Sequence, residues 1–533
     1  MDSLQFVGAL NPRDAFRRGR INAVKLYHHV TLGEKIHYID YTSLFPWVNK
    51  TCIYPKDHPQ FISQPGHTNI NNYFGVVKCE VLPPPQLYHP ILPYRHAGKL
   101  TFPLCATCVL EEKDKPTLKR SYLYAHSEQE RVLTGTWCTP ELQKAVDLAY
   151  EIQYIYEVWR FPEICEVLFK DYVNTWLKIK QEASGWPIRK YYEQEGIQLE
   201  YNKIEHNPGL RALAKKMLNS MWGKFGQRLN KTQVQTFDHP QAFHCFLDTN
   251  TLDVRHVSVA NEEMVEVHYH QQEDISVSPN LDVFVASFTT AWARDRLNEA
   301  IQLLGERVLY YDTDSVIYIE KPGQPNPSWG DYLGEFTSEL DADDYIVEFL
   351  SGGPKNYGYT TKKGRDKCKV RGFRLNSEGK TQMNYDVTRQ NVVDELQHPQ
   401  KEPRQTQVVK THQIVRDAKT YDFYTFPDYK RYPLVYNKRV IDPRTFQTYP
   451  YGYTALAVTP REHSPSPNNP SSTNHSIHSV PWTNWFPRYS DAVVTGLCEL
   501  FLRDATDHLG PGTSSHPVHN CLDFGLFCQR GRR

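Results

Sequence analysis

No stretch of this 533-residue sequence is apolar for long enough to span a bilayer. The N-terminus, MDSLQFVGALNPRDAFRRGR, turns basic too soon for a secretory leader. An excess of either charge is missing as well. The 61 Lys+Arg face 61 Asp+Glu, a formal net charge of +0, so no global field draws nucleic acid and any basic surface is local. The 11 Cys follow no regular spacing, which argues against a disulfide scaffold and for reduced thiols in an intracellular protein. No internal repeat is present. Residues 454–533 contain no Lys at all, and their TPREHSPSPNNPSSTNHSIHSVP segment cannot build a packed core. That tail is expected to be disordered.

What is present suits a large protein of two to four packed units. With 40% hydrophobic and 13% aromatic residues, including 34 Tyr, the chain can bury a core spread over several units. Basic residues gather in two places, Arg13–Lys25 and Lys362–Arg374, and each taken alone reads as a solvated face. KIHYIDYTSLF (35–45) reads as a strand leading into a turn before Pro46. From 139 to 226 the pattern is helical: Thr139 is expected as an N-cap with Pro140 at N1, and Asn207-Pro208 opens a second such helix. Residues 227–280 read as short strands and polar loops, followed by a helix near 283–304.

Three stretches carry chemistry. VLYYDTDSVIY (308–318) reads as a buried hairpin with two acids, Asp312 and Asp314, at its tip. Carboxylates two residues apart on extended chain point the same way and could hold a divalent metal. A surface turn whose Asp side chains bond their own backbone fits the same residues. YIDYTSLFPW (38–47) puts Asp40 at the end of a strand. On the helix after Pro208, Arg211, Lys215 and Asn219 are spaced i, i+4, i+8 and form one polar stripe. Leu210, Ala214, Met217 and Met221 form an apolar stripe beside it. Two cations and an amide on one face can hold a polyphosphate and a sugar, although an ordinary solvated helix face has the same residues.

In order and type these stretches resemble motifs A, B and C of the family B DNA polymerases. DYTSLFP (40–46) resembles D-x-x-S-L-Y-P, KKMLNSMWG (215–223) resembles K-x-x-x-N-S-x-Y-G, and YYDTDS (310–315) resembles Y-x-D-T-D-S. Further on, KNY (355–357) resembles the family's K-x-Y and KVRG (369–372) its basic element. LNPRDAF, GTWCTPEL, LFKDYVNTWLKIKQEASGWP and GPKNYGY resemble the protein-primed branch, especially the polymerases of Maverick/Polinton-type mobile elements. The resemblance covers about residues 5–453 and none of the tail.

The resemblance implies an α+β right hand with an antiparallel palm sheet, helical fingers and a small thumb. It divides the chain into a palm segment with a loop-rich insertion (1–138), fingers (139–226), an insertion between motifs B and C (227–280), palm (281–350), thumb (351–453) and tail (454–533). It implies template-directed addition of dNTPs to a primer 3′-OH, with Asp40 and Asp314 holding two Mg²⁺ ions, for which Mn²⁺ can substitute, and Asp312 as a supporting acid. Ser43, Leu44, Phe45, Arg211, Lys215, Asn219, Trp222 and Thr313 are implied at the nucleotide, with Phe45 as the gate against a 2′-OH. Lys203 is a further candidate cation by spacing alone. Tyr310, Ser315, Lys355, Tyr357, Lys369 and Arg371 are implied at the primer–template. A terminal protein is an implied primer, and a nucleus or another DNA-containing compartment the implied location.

The sequence also departs from the pattern. Phe45 replaces the usual Tyr, Trp222 replaces the Tyr of motif B, and FRRG (16–19) stands where the branch usually has Y-x-G-G. Only 39 residues precede Asp40, too few for the family's exonuclease domain, so a polymerase module without proofreading is expected. Two rivals stand beside the enzyme: a silent DNA-binding relic of a mobile element, and a reverse transcriptase, which would favour adjacent acids where Thr313 intervenes. Cys105 and Cys108 form a C-x₂-C with His126 and Cys138 further along. No second short spacing follows, so buried thiols are expected ahead of zinc.

Overall fold

The structure is a computed structural model describing residues 8–454 except 67–68, 112–125, 186–189, 228–231, 238, 249–251, 260–264, 272–281, 374–376, 398–407, 417–419, 432–437 and 443. The expected disordered tail, beyond Thr454, and Arg374 lie outside the described residues. The chain forms two compact units, one holding residues up to Asn219 and from Phe284 onward, the other Ser220–Val283. Both are mixed α/β with antiparallel sheets.

The first unit is organised by a nine-stranded antiparallel sheet. Its centre is the strand Lys35–Tyr41, which pairs with Ser315–Glu320 and, near its end, with Phe336–Ser338. Val308–Asp312 is buried along its whole length, between Ser315–Glu320 and Ile21–Ala23. On the far side Ile346–Gly353, Asn356–Thr361 and Asp366–Lys369 continue the sheet. Ile36, Leu309, Ile317, Ile346 and Phe349 pack as one cluster, which is why this run of β-branched and aromatic residues forms strands. After Tyr41 the chain turns at Ser43, in a left-handed conformation (φ 56°), and enters the helix Leu44–Thr51. Pro46, expected to mark a turn, sits inside that helix. In a first turn its missing N–H forfeits no helical hydrogen bond.

The stretch 139–226 is not helical throughout. EIQYIYEVWR forms the strand Glu151–Arg160 in a four-stranded sheet with Gln60–Gly66, Gly75–Leu82 and Leu133–Cys138. Its β-branched and aromatic residues outweigh the helical context, and Ile155 and Val158 enter a core with Val77 and Trp137. The N-cap of the helix Thr139–Asp147 is Cys138, one residue earlier than expected, because the Thr139 hydroxyl accepts from Gly75 N–H at 3.0 Å instead. Asn207 does cap its helix, Pro208–Phe225, accepting from Leu210 N–H at 3.0 Å. On that helix Leu210 is exposed, and Leu218 takes its place beside Ala214 and Met217.

The first basic cluster is not a solvated face. Arg17 and Arg20 are buried, and Arg20 lies over the rings of Phe102 (4.5 Å) and Tyr311 (5.0 Å) while donating to Asn298 at 3.1 Å. Asn298 lies on the helix Val283–Leu304, which is buried on most sides. Its Arg294 donates to Glu141 at 2.8 Å and to the carbonyls of Arg17 (2.7 Å) and Arg18 (3.1 Å), fixing the segment before Gly19. Replacing Arg294 by Met leaves Glu141 buried without its cation. The expected loss of stability is about 3–5 kcal/mol by chemical denaturation. A loss below ~1 kcal/mol would show that the pair does not anchor the segment.

The second unit holds the three-stranded sheet Gln233–Phe237, Val265–Gln271 and Leu252–Val259. It also contains a helix, Pro240–Leu247, that the strand-and-loop reading of this stretch left out. Phe243 and Phe246, i and i+3 on that helix, pack on Phe237.

Candidate active site

The sheet brings the two expected acids together. Asp40 lies directly opposite Ser315, and Tyr41 N–H donates to the Asp314 carbonyl at 2.8 Å, so Asp40 and Asp314 meet at one end of adjacent strands. The hairpin turns through Thr313, whose φ of 62° is unusual for a β-branched residue. Three contacts hold it there. Thr313 N–H donates to the Arg20 carbonyl at 2.8 Å, and its Oγ1 donates to Asp312 at 3.2 Å. Gly19 packs so closely that a Cβ there would meet Thr313 Oγ1 at 2.6 Å. Strain at this tip, supported from three sides, is typical of a functional turn.

Asp312 is a different kind of acid. It is buried and paired with Lys355 Nζ at 3.2 Å, so it meets the cation a buried carboxylate needs. Asp40 and Asp314 are half-buried, and both are pushed above the ordinary carboxylate range. Burial, then Asp314 and Glu339, push Asp40 up to about 8 against the pull of Lys215 and Lys369. Burial and Asp312 push Asp314 up to about 6 against Lys355 and Lys369. Two oxygen donors that repel each other in a half-buried site fit a hard divalent cation, and these residues could hold one. Among the described residues, the group of three or more His, Cys, Asp or Glu with clustered ligand atoms is elsewhere, at Cys105, Cys108 and His126.

Cations surround the acids. Lys355 N–H donates to the Tyr310 hydroxyl at 2.8 Å, and Lys369 lies 5.7 Å over the Tyr357 ring. Tyr310, Ser315 and Tyr357 are themselves buried, with the Tyr357 hydroxyl 3.1 Å from that of Tyr38, so they sit beneath the surface that Lys355, Lys369 and Arg371 expose. Lys438, which the sequence reading did not single out, donates to the Ile21 carbonyl at 3.4 Å. Burial and the neighbouring Arg371 and Lys355 lower it to about 8, while Asp312 pulls it up.

A second group of cations stands by the turn after Asp40. Arg211, Lys215 and Asn219 are exposed along one face of their helix, with Arg211 donating to Ser184 at 3.2 Å. Lys180, on the helix Lys170–Glu182, donates to Ser43 Oγ at 3.4 Å. Leu44 is buried and Phe45 half-buried next to it. Lys203 does not join them. Its Nζ pairs with Glu200 at 2.8 Å. Trp222 is on the last turns of the Arg211 helix, within the second unit.

A sequence model of the DNA polymerases type B, organellar and viral, matches residues 11–302, more than half of the chain. The chain belongs to this family. The match ends before the 308–320 hairpin, so the meeting of Asp314 with Asp40 is an independent observation of the structure. Among solved structures, the chain is similar to Phi29 DNA polymerase complexed with primer-template DNA (15% identity, TM-score 0.48, covering 79% of this chain and 61% of that one). It is likewise similar to the ternary complex with incoming nucleotide substrates (16% identity, TM-score 0.46, covering 79% and 62%). The chain thus spans about three fifths of the length of those polymerases. No curated protein matches its sequence.

In this member of the type B family the sequence pattern also marks Lys180. Val173, Leu177 and Lys180 are spaced i, i+4, i+7, which puts a cation on the buried stripe of an amphipathic helix. Burial, then Arg211 and Lys215, lower Lys180 to about 8. As the pH rises through that value Lys180 loses its charge. If it contacts the triphosphate, kcat/KM for dNTP falls on the alkaline side of about 8. Lys180→Met is expected to raise KM roughly tenfold near neutral pH, about 1.4 kcal/mol of charge-assisted contact, and to abolish that alkaline decline. An unchanged KM with an unchanged profile would place Lys180 off the nucleotide path.

Proposed function

We propose that the chain is a DNA-directed DNA polymerase that adds dNTPs to a primer 3′-OH under direction of a DNA template. The register of Asp40 against Ser315 carries this reading, because it sets Asp314 beside Asp40 from strands far apart in sequence. In this reading the nine-stranded sheet is the palm, residues 139–226 contribute the fingers and 351–453 the thumb. Asp40 and Asp314 would hold Mg²⁺, or Mn²⁺ in its place. Two such ions, when bound there, would supply Lewis acidity to the attacking hydroxyl and offset the negative charge of the leaving pyrophosphate.

The chain's own residues supply position and charge. Lys180, Arg211 and Lys215 take the triphosphate, and the resemblance implies Asn219 at the sugar and Trp222 among the nucleotide-binding residues. Ser43, Leu44 and Phe45 shape the floor under the deoxyribose. Thr313 aims the hairpin, and Asp312 neutralises Lys355 while anchoring it. Lys355, Lys369, Arg371 and Lys438 meet primer–template phosphates, and Tyr310, Ser315 and Tyr357 hold those cations in place from below. The sequence elements shared with the protein-primed branch support a Maverick/Polinton-type context with a terminal protein as primer. Primer extension with wild-type protein on DNA and RNA templates tests the reading. Mg²⁺-dependent extension on DNA supports it. Extension on RNA alone would favour a reverse transcriptase, and salt-sensitive binding with no extension a relic.

A further inference from the structure

The C-x₂-C pair is drawn into a site that its spacing does not reveal. Cys105 and Cys108 flank the start of the helix Ala106–Glu111, and both are buried. His126 returns to them. Its Nδ1 lies 3.3 Å from Cys105 Sγ and 3.3 Å from Cys108 Sγ, and the three ligand atoms lie within 4.8 Å of one another. A tetrahedral zinc bound to sulfur at about 2.3 Å and to imidazole nitrogen at about 2.05 Å puts those ligand atoms about 3.6 Å apart. The two sulfur–nitrogen distances therefore need to open by only a few tenths of an ångström to admit the ion. Cys138, the other candidate ligand, is buried elsewhere, at the N-cap of the helix Thr139–Asp147.

The surroundings are those of a built metal site. Cys108 N–H donates to Cys105 Sγ at 3.4 Å, the kind of bond that stabilises a thiolate. Glu111 Oε1 stands 3.6 Å from His126 Nε2, so the far ring nitrogen faces a carboxylate, as in carboxylate–histidine–zinc triads. Ser127 and Glu130 form a capping box that fixes the backbone directly after His126. Thr107 donates to the Glu130 carbonyl at 2.8 Å, tying the two halves of the site together. The site also touches the end of the described chain. Leu104 N–H donates to the Tyr451 carbonyl at 2.7 Å, and Cys105 packs in one cluster with Val440 and Tyr451.

We propose that Cys105, Cys108 and His126 bind one zinc ion, with a solvent molecule as fourth ligand. Two thiolates and an imidazole are a soft donor set, unlike the carboxylates of Asp40 and Asp314, so the two sites take different metals. The ion joins Cys105 and Cys108, which pack against Val440 and Tyr451, to His126.

Metal analysis of the purified full chain, reconstituted with zinc and dialysed, tests this. One zinc per chain is expected. Cobalt(II) in its place is expected to show thiolate-to-metal charge transfer. Cys108→Ser and His126→Ala lose the zinc, whereas Cys245→Ser, at an exposed thiol of the second unit, keeps it. Should the variants not fold, wild type carries the test: stripping zinc with a chelator exposes two further thiols to a thiol reagent. A wild-type chain that retains no zinc, iron in place of zinc, a Cys105–Cys108 disulfide, or full zinc in the Cys105→Ser/Cys108→Ser variant would each overturn the proposal.

Discussion

Asp314→Asn is expected to abolish Mg²⁺-dependent primer extension, by about 10³-fold or more, while primer–template binding stays nearly intact. The amide preserves the shape of the hairpin tip and removes the charge that a divalent ion needs. Binding should persist because Lys355, Lys369 and Arg371 are untouched, and fluorescence anisotropy can check it. Extension above a few per cent of wild type would sink the assignment of Asp314 as a metal ligand.

The same acids predict a change in stability of opposite sign. Asp40 is raised from its ordinary 3.8 to about 8, so the folded protein holds this proton more tightly than the unfolded chain. Stability from the protonated form is therefore complete below 3.8 and is lost as the pH rises through about 8. Asp40→Asn removes that loss. The metal-free variant should be more stable than wild type above about 8, by roughly 1–3 kcal/mol once solvent screening of a half-buried group is allowed for. Mg²⁺ should raise the Tm of wild type and leave that of the Asp40→Asn/Asp314→Asn variant unchanged. An equal Mg²⁺ shift in both proteins would mean the ion binds elsewhere.

Phe45→Val should sharply increase ribonucleotide use, with a smaller loss in dNTP use. Phe45 follows Leu44 at the start of the helix that leaves Ser43, where Lys180 donates its hydrogen bond. Leu44 is buried and anchors this turn, Phe45 is half-buried beside it, and the proposed reading puts its ring under the deoxyribose. An aromatic ring excludes a 2′-OH by volume and needs no hydroxyl to do so. Relieving that clash is worth a few kcal/mol, roughly 10²-fold or more in selectivity. Single-nucleotide kcat/KM for rNTP and dNTP on one primer–template measures it, with Phe45→Tyr expected to stay near wild type. An unchanged ratio with dNTP incorporation intact would show that Phe45 is not the gate.

Local pattern alone marked the hairpin, the strand ahead of it, and the helices that open at Pro208 and span 283–304. Each is a long periodic or strongly punctuated segment, and such segments carry their own conformational signal in nearest-neighbour chemistry. The stripe of Arg211 and Lys215 was legible from charge at fixed spacing on one helix face, whereas the pairing of Asp40 with Asp314 came from the resemblance of their motifs to those of the family. Where the expectation failed, a partner distant in sequence had decided. Glu151–Arg160 is a strand because two other strands receive it, and Thr139 is not a cap because Gly75 claims its hydroxyl. Arg17 and Arg20 look like surface in sequence, yet both are buried, Arg20 against aromatic rings and Arg17 bonded through its carbonyl to Arg294 of the 283–304 helix. Glu339, Lys180 and Lys438 gained their electrostatic roles, and His126 its place beside Cys105 and Cys108, only when folding brought them to a site. A pKa, an ion pair or a ligand set depends on distances between groups far apart in the chain, and those distances exist only in the packed molecule.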